Sequence, residues 1–406
     1  VSGDARAIFR CVADYSLTAA VVLAAPWWLC VATLALRKRS APSLDDVSPV
    51  PPGAAQAERV SIVLPARNEA AHIVDCVGAI RQSTWPNLEL VVVDDRSEDA
   101  TGDLARKAAG DDARVRVVNA PELPAGWFGK QWACQIGAQQ ATGSLLLFTD
   151  ADTRHAPDLV TRLVAARAQR QVELMSVAGR QDMLTVWERA TQPSVFALIL
   201  LRYGGAHALE TATHESAVIA NGQCFMLSRE VYDAIGQHES VREYVAEDVM
   251  IAQAVWRTGK RVSLVLGIGQ LRTRMYDGLS ALMKGWGKNV YAGGRHALPG
   301  GSLARALFPV LLPAFPLALL LPFAVLIVQL VSWATGSSVA PAVALWSALS
   351  SGAVIGLFGV ANHMNRDPLR RAFLAPLGAA VLLAICVTAV ARGRRVAWKG
   401  RDYTAR

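Results

Sequence analysis

The sequence predicts an α/β fold: a mostly parallel sheet flanked by helices, carried between apolar helices at the two ends of the chain. Three observations predict it. Short apolar runs alternate with helical-period segments between Arg59 and Arg295. The apolar excess lies outside that stretch, at both termini. Acidic clusters follow two of the apolar runs, where an α/β sheet gathers ligands. Of 406 residues, 52% are hydrophobic and only 18% charged; soluble enzymes have about a quarter charged, so membrane anchoring explains the deficit.

Tyr15 to Leu36 contains no charged residue and is followed at once by Arg37, Lys38 and Arg39. A run of that length crosses a bilayer. The basic cluster argues for a retained anchor over a cleaved signal. It also places the downstream chain in the cytoplasm, against the opposing flank of Arg6 and Arg10. Ser40 to Glu58, rich in Pro, Ala and Asp, reads as a linker. Strands are expected at Val60 to Leu64, Leu88 to Val93, Val115 to Val118 and Ser144 to Phe148. Helices are expected at Asn68 to Gln82, Ala100 to Ala109 and Gln131 to Ala141.

After Arg295 the apolar segments Ala306 to Trp333, Val339 to Ala361 and Phe373 to Ala391 are each long enough to cross. Three crossings would put the tail opposite the catalytic domain, yet its Arg392, Arg394, Arg395, Lys399, Arg401 and Arg406 suit the anionic inner face of a membrane. The loop with Arg366, Arg370 and Arg371 also reads as cytoplasmic. Both hold only if one segment does not cross. Val195 to Leu201 and Met275 to Arg295 read as interfacial, the latter mixing aromatics with Lys284 and Lys288. Cys11, Cys30, Cys76, Cys134, Cys224 and Cys386 show no metal or disulfide spacing and read as small buried hydrophobes in a reducing compartment. The 11 Trp suit membrane interfaces better than base stacking, so nucleic acid is not an expected partner.

The chemistry sits in an ordered series of carboxylates. Asp94-Asp95-Arg96-Ser97-Glu98-Asp99 follows the second strand, Asp150-Ala151-Asp152 the fourth, and Glu247-Asp248 comes about a hundred residues later. A lone Asp-x-Asp means little; two acidic clusters capping apolar strands, downstream of Pro65-Ala66-Arg67-Asn68-Glu69, mean more. These segments, with Ser61-Ile62-Val63-Leu64 and Phe148-Thr149, resemble the family 2 glycosyltransferases of the GT-A fold over about residues 59 to 295. Leu123-Pro124-Ala125-Gly126-Trp127-Phe128-Gly129-Lys130 and Trp398-Lys399-Gly400-Arg401 resemble the membrane-bound branch, which includes carotenoid (chlorobactene-type) glucosyltransferases and the hopanoid-associated transferase.

The resemblance implies a nucleotide-diphospho-sugar donor, a UDP-hexose, and a divalent cation, Mg2+ or Mn2+, at Asp152 with Asp150. Glu69 and Asp95 would hold the nucleoside, with Asp94 beside them and the strand end Pro65, Ala66 and Arg67 packing on the base. Gly222, in Ala220-Asn221-Gly222-Gln223-Cys224-Phe225, would let backbone approach the sugar. Lys130, on a Gly-flanked loop, is expected at the diphosphate. Asp248 would be the base that takes the acceptor proton, with Glu247 its neighbour. The processive enzymes' Gln-x-x-Arg-Trp is missing; the region reads Met283-Lys284-Gly285-Trp286-Gly287-Lys288-Asn289, where Trp286 would do part of that work. Single-sugar transfer to a membrane lipid is therefore expected, with a processive polysaccharide synthase or a non-catalytic nucleotide-sugar-binding scaffold as alternatives. Glu98 and Asp99 read equally as helix-initiating acids; His155, near the metal motif, reads as a surface residue opening a helix in preference to a metal ligand. The expected layout is an anchor at 1–39, a linker at 40–58, a cytosolic catalytic domain at 59–274, an interface helix region at 275–300, and membrane helices with a basic tail at 301–406 of a multi-pass protein of the cytoplasmic (inner) membrane.

Overall fold

The computed structural model describes residues 3–39, 41–49, 58–204, 206–296, 298, 301–393, 395–398 and 400–404. Helix α1 (Gly3–Arg39) leads in. The next domain runs β1 (Val60–Ala66), α2 (Ile73–Arg81), β2 (Leu88–Asp94), α3 (Thr101–Ala109), β3 (Val115–Asn119), α4 (Gly129–Gln140) and β4 (Leu145–Thr149). It continues with β5 (Thr153–His155), α5 (Leu159–Arg170), β6 (Leu174–Gln181), α6 (Val186–Tyr203), α7 (Ala206–Glu210), β7 (Cys224–Ser228), α8 (Arg229–Ala234), α9 (Glu247–Arg257), β8 (Val262–Thr273) and α10 (Leu279–His296). Then come α11 (Leu303–Ala306), α12 (Phe308–Ala334), α13 (Pro341–Met364), α14 (Ala375–Arg392), β9 (Arg395–Trp398) and β10 (Arg401–Thr404).

Eight strands form one mixed sheet in the order β3-β2-β1-β4-β7-β6-β8-β5. All seven residues of β1 are buried, which is why it reads as an unbroken apolar run: it pairs in parallel with β2 and β4 and is covered on both faces. Alternate side chains separate two cores. Ile62, Leu64, Leu90 and Val92 pack with α2 and α5, whereas Val63, Val91 and Val93 pack with α4 and α9. Helix α4 docks so closely that a Cβ on Gly137 would sit 2.4 Å from Val63 Cγ1. The four expected strands are present and end one or two residues later than expected, the fourth starting at Leu145, not Ser144. The sequence reading misses β5 to β8, which add three antiparallel pairings, β4–β7, β6–β7 and β5–β8.

Three expectations are corrected. The segment at 40–58 is not merely a linker: Leu44 is fully buried in the core, Ser43 bridges to Leu266, and Arg162 Nη1 donates to the Val47 carbonyl at 2.6 Å. Burying one Leu contributes about 1.5–3 kcal/mol, enough to fasten α1 to the domain edge. Residues 50–57 lie outside the described residues. His155 is neither exposed nor helical; it is buried on β5, with Nε2 2.9 Å from Thr149 Oγ1. Burial pushes its imidazole down to about 4, so it is neutral. The basic tail does not simply face a membrane: Arg401 reaches into the domain and pairs with Asp95, while Arg394, Lys399 and Arg406 lie outside the described residues.

Four helices are long and apolar enough to cross a membrane: Ser16–Arg39, Phe308–Ala334, Pro341–Met364 and Leu369–Arg392. Val195 to Leu201 belongs to α6, which packs against α14, and α10 joins them around Val195, Tyr276, Leu282, Trp286 and Ile385. A Cβ on Gly378 of α14 would lie 1.9 Å from the Ala190 carbonyl oxygen of α6. The loop before α14 is tied to the domain by Asn365, whose Oδ1 accepts from Gln181 N at 2.7 Å and whose Nδ2 donates to Gln181 O at 2.8 Å. The hairpin after α14 is tied to it by Arg401. Both ends of α14 therefore meet the same domain. Cys76, Cys134, Cys224 and Cys386 are buried as expected and Cys30 is half-buried; the side chain of Cys11 lies outside the described residues.

Candidate active site

Strands β2 and β3 extend the sheet to one side of β1 and β4 to the other, so a crevice opens at the carboxyl ends of β1 and β4. Asp150 and Asp152 leave the end of β4. Their turn is closed by Thr153 N donating to the Asp150 carbonyl at 3.3 Å and by Asp150 N donating to Gln223 O at 3.3 Å. Glu247 and Asp248 open α9 across from them, in the positive field of a helix N-terminus.

Lys130, on the first turn of α4, joins the two pairs. Its Nζ lies 2.7 Å from Asp150 Oδ1 and 2.7 Å from Glu247 Oε1. Burial acts to lower the lysine pKa, but Asp150 and Glu247 outweigh it and hold it well above its usual value. Burial acts to raise the Glu247 pKa, and Lys130 reverses that, so Glu247 stays ionised. Sequence reasoning sets Lys130 against a diphosphate; in the structure its charge is taken up by two carboxylates.

Asp248 is held differently. Its Oδ2 accepts from Gly222 N at 2.7 Å and its Oδ1 from Val249 N at 2.9 Å. Burial, then the neighbouring Glu247 charge, pushes its carboxyl up to about 6. A Cβ on residue 222 would stand 2.9 Å from Asp248 Oδ2, so a side chain there would displace the carboxylate. Asp152 is half-buried, and its Oδ1 is fully buried without a hydrogen-bond partner among the described residues. Burial, then Asp150 and Glu69, pushes its carboxyl well above the usual range. An orphaned carboxylate oxygen in a negative field is what a hard divalent cation relieves, so the residues present fit one. Among the described residues no three His, Cys, Asp or Glu side chains form a closed cage; the fit is to a cation that takes its other ligands from substrate and water.

The residues expected at the nucleoside form a second cluster. Asp95 is 1% exposed, and its carboxylate is gripped by Arg401, with Nη1 2.6 Å from Oδ2 and Nη2 3.3 Å from Oδ1. Burial still raises its pKa despite that cation. Tyr403 supports the hairpin by stacking on Phe128 at 4.3 Å and accepting from Gly129 N at 3.3 Å. Arg67 is buried and braces the loop after β2, donating to the carbonyls of Asp95 at 2.8 Å and Arg96 at 2.6 Å and pairing with Glu98 at 2.8 Å. The Ala66 carbonyl at the end of β1, next to Pro65, accepts from Asp95 N at 2.8 Å. Glu69 lies in the electrostatic field of Asp152. Asp94 points elsewhere: it caps the loop by accepting from Ser97 N at 3.0 Å and abuts Gly102. Asp99 does initiate α3, accepting from Thr101 N at 3.0 Å.

Trp286 lies on α10. It is buried between α6 and α14, edge-on to Tyr276 and Phe196 at 6.0 Å each. Two cations escape sequence reasoning. Arg401 reads as a membrane charge, and nothing in the sequence links it to a carboxylate 306 positions away. Lys288 reads as a headgroup cation, yet burial lowers its pKa against the charges of Glu247, Asp150 and Asp248.

Residues 61–236 match the profile described as glycosyl transferase family 2. They are a family 2 glycosyltransferase domain. The chain is 25% identical over 248 residues to 4,4'-diaponeurosporenoate glycosyltransferase of Staphylococcus haemolyticus, covering 60% of this chain and 64% of that protein. It is 29% identical over 234 residues to undecaprenyl-phosphate 4-deoxy-4-formamido-L-arabinose transferase of Pectobacterium carotovorum, covering 55% and 68%. The chain thus spans just under two thirds of the first relative. In architecture it is similar to the mannosyltransferase PcManGT from Pyrobaculum calidifontis, solved with GDP-Man and Mn2+, at 18% identity and a TM-score of 0.51 over 94% of this chain and 97% of that one. The glycosyltransferase domain therefore has the GT-A fold, with apolar helices at both ends of the chain.

Proposed function

We propose that this glycosyltransferase moves a single sugar from a nucleotide-diphosphate donor, a UDP-hexose, to the hydroxyl of a membrane lipid, inverting the anomeric centre. The observation that carries the reading is the Asp150–Lys130–Glu247 bridge, which sets Asp152 and Asp248 on one crevice. The nucleoside binds at the ends of β1 and β2, near Glu69, Asp95 and the strand end Pro65–Arg67. Asp152, with Asp150, would hold a divalent cation, which when bound supplies positive charge to the departing diphosphate. Asp248 accepts the proton of the acceptor hydroxyl as the oxygen attacks; a carboxyl raised to about 6 is a stronger base than an ordinary aspartate and is still ionised at neutral pH. Gly222 N fixes one of its oxygens and Glu247 keeps its field negative.

The lipid half of the reading rests on the apolar helices at both chain ends and on relatives named for carotenoid and undecaprenyl-phosphate substrates. Because both ends of α14 meet the domain, α12 and α13 form a membrane hairpin and α14 lies along the domain surface without crossing. Tail, 365–374 loop and domain then share the cytosolic side of the inner membrane. The test is incubation of purified protein with radiolabelled UDP-glucose, other UDP-hexoses and a total membrane lipid extract, with and without Mn2+ or Mg2+. Metal-dependent label in the organic phase supports the reading; label that stays wholly aqueous refutes it.

A further inference from the structure

A cavity of about 90 Å3, open on one side, lies where the domain meets the apolar helices. Helix α6 contributes Pro193 and Phe196 to its wall, α13 contributes Ala361 and Met364, and β8 contributes Leu266 and Ile268. The α13 residues belong to the last turn of a candidate membrane span. The cavity therefore sits at the level where that helix enters the domain, with an apolar wall on every contributing element. Water gains little from such a surface, and an aliphatic or isoprenoid chain gains about 0.8 kcal/mol for each buried CH2.

One end of the cavity is polar, and that end leads to the catalytic base. Gln181 and Asn221 both line it. Gln181 Nε2 donates to Gln223 Oε1 at 3.1 Å, and Asn221 Nδ2 donates to the Val177 carbonyl at 2.7 Å. The residue after Asn221 is Gly222, whose N–H holds Asp248 Oδ2 at 2.7 Å. One peptide unit thus separates the cavity wall from the carboxylate. Gln181 is 5% exposed, and its Oε1 has no hydrogen-bond partner among the described residues. A buried amide oxygen left unpaired costs about 1–3 kcal/mol, and an O–H or N–H brought in by a ligand removes that cost.

We propose that this cavity is the acceptor subsite: the hydrocarbon chain of a single-chain lipid alcohol lies between α6, α13 and β8, with its head at Gln181 and Asn221, beside Asp248. The inference rests on the lipid-transferase reading and adds to it the route by which the acceptor arrives. The chain enters from the bilayer along α13 and never has to leave an apolar surface. Amides, which carry no charge, line the passage of the hydroxyl. A sugar nucleotide, by contrast, approaches from the far side, over β1 and β4. The two substrates then meet only at Asp248.

The test uses the full-length protein in phospholipid nanodiscs with a diazirine-bearing octadecyl alcohol as probe. After irradiation, mass spectrometry of the peptides is expected to find label on Phe196 and Met364. Ala197→Trp on α6, which projects an indole into the cavity, should cut that labelling, and label transfer from UDP-sugar to membrane lipid extract, by about tenfold or more, the rate equivalent of about 1.4 kcal/mol. The donor KM should stay within about twofold, since the donor binds elsewhere. Ile268→Trp fills the cavity from the opposite wall and should reproduce both losses, which separates occlusion from misfolding of one helix. Probe spread evenly along α12, or wild-type transfer by both variants, overturns the proposal. Absence of any sugar transfer by the wild-type protein refutes the transferase reading instead, and the photolabel still decides whether the cavity takes a lipid chain.

Discussion

Replacing Lys130 by Met keeps most of the aliphatic stem and removes the ammonium that bridges Asp150 and Glu247. Each of its contacts is 2.7 Å long, which at an effective dielectric constant of about 20 is about 6 kcal/mol of Coulomb attraction. Most of that is returned as the cost of desolvating three ions. Breaking a buried pair from one side costs about 3–5 kcal/mol. Glu247 is buried, but Lys130 and Asp150 are 23% and 29% exposed at the side chain, so water softens the loss to about 2–3 kcal/mol. For a domain of this size that lowers Tm by about 5–10 °C. The same substitution acts on the proposed base, since Lys130 lowers the Asp248 pKa from where burial and Glu247 would put it. The acid limb of the pH–rate profile should therefore move above pH 6. Thermal unfolding in nanodiscs and initial rates of label transfer from pH 5 to 8 measure the two effects. A variant with wild-type Tm and an unmoved acid limb would show that the ammonium neither balances the carboxylates nor reaches the base.

Single contacts set three further outcomes. In the wild-type protein transfer should fall about tenfold per pH unit below about 6 and level off above it, because the folded-state carboxyl of Asp248 is raised and only its ionised form accepts a proton; a rate independent of pH between 5 and 7 would contradict the assignment. Gly222→Ala puts a methyl 2.9 Å from Asp248 Oδ2, so kcat should drop by about tenfold to a hundredfold while Tm changes little, as measured by initial rates and calorimetry. Arg401→Gln strips the buried Asp95 of its cation and should destabilise the docked hairpin by about 1–3 kcal/mol, discounted because the Arg401 side chain is 19% exposed; limited trypsin digestion should then cut near the C-terminus, and an unchanged digestion pattern would show that the ion pair does not hold the hairpin.

Half of this architecture is legible in the chain and half is not, for physical reasons. Val60–Ala66 and Leu88–Asp94 are buried on both faces, so their sequences are apolar without interruption and their strand ends stand out. The acidic residues at those ends stand out for the same reason. β5 is only three residues long, and β6 and β8 shift register between Gly179 and Arg180, so neither shows a clean period. Leu44 is a single anchor inside a Pro- and Asp-rich stretch, and composition averages it away. Asp94 and Asp95 are indistinguishable in sequence; backbone direction alone sends one to cap a loop and the other to Arg401. His155 is misjudged from sequence because its partner, Thr149, becomes a neighbour only when the sheet closes, and the Lys130–Glu247 contact is invisible for the same reason.

Asp248 is proposed to serve as the base while the donor is held by other residues. Asp248→Asn keeps the shape and its hydrogen bond from Gly222 N but cannot take a proton at neutral pH. Two quantities measured on the same purified variant decide it: calorimetric affinity for the UDP-sugar, and radiolabel carried into membrane lipid. Donor affinity should stay close to that of the wild-type protein, and transfer should fall at least about a hundredfold. Transfer at the wild-type rate, or a loss of donor affinity that matches the loss of transfer, would contradict it.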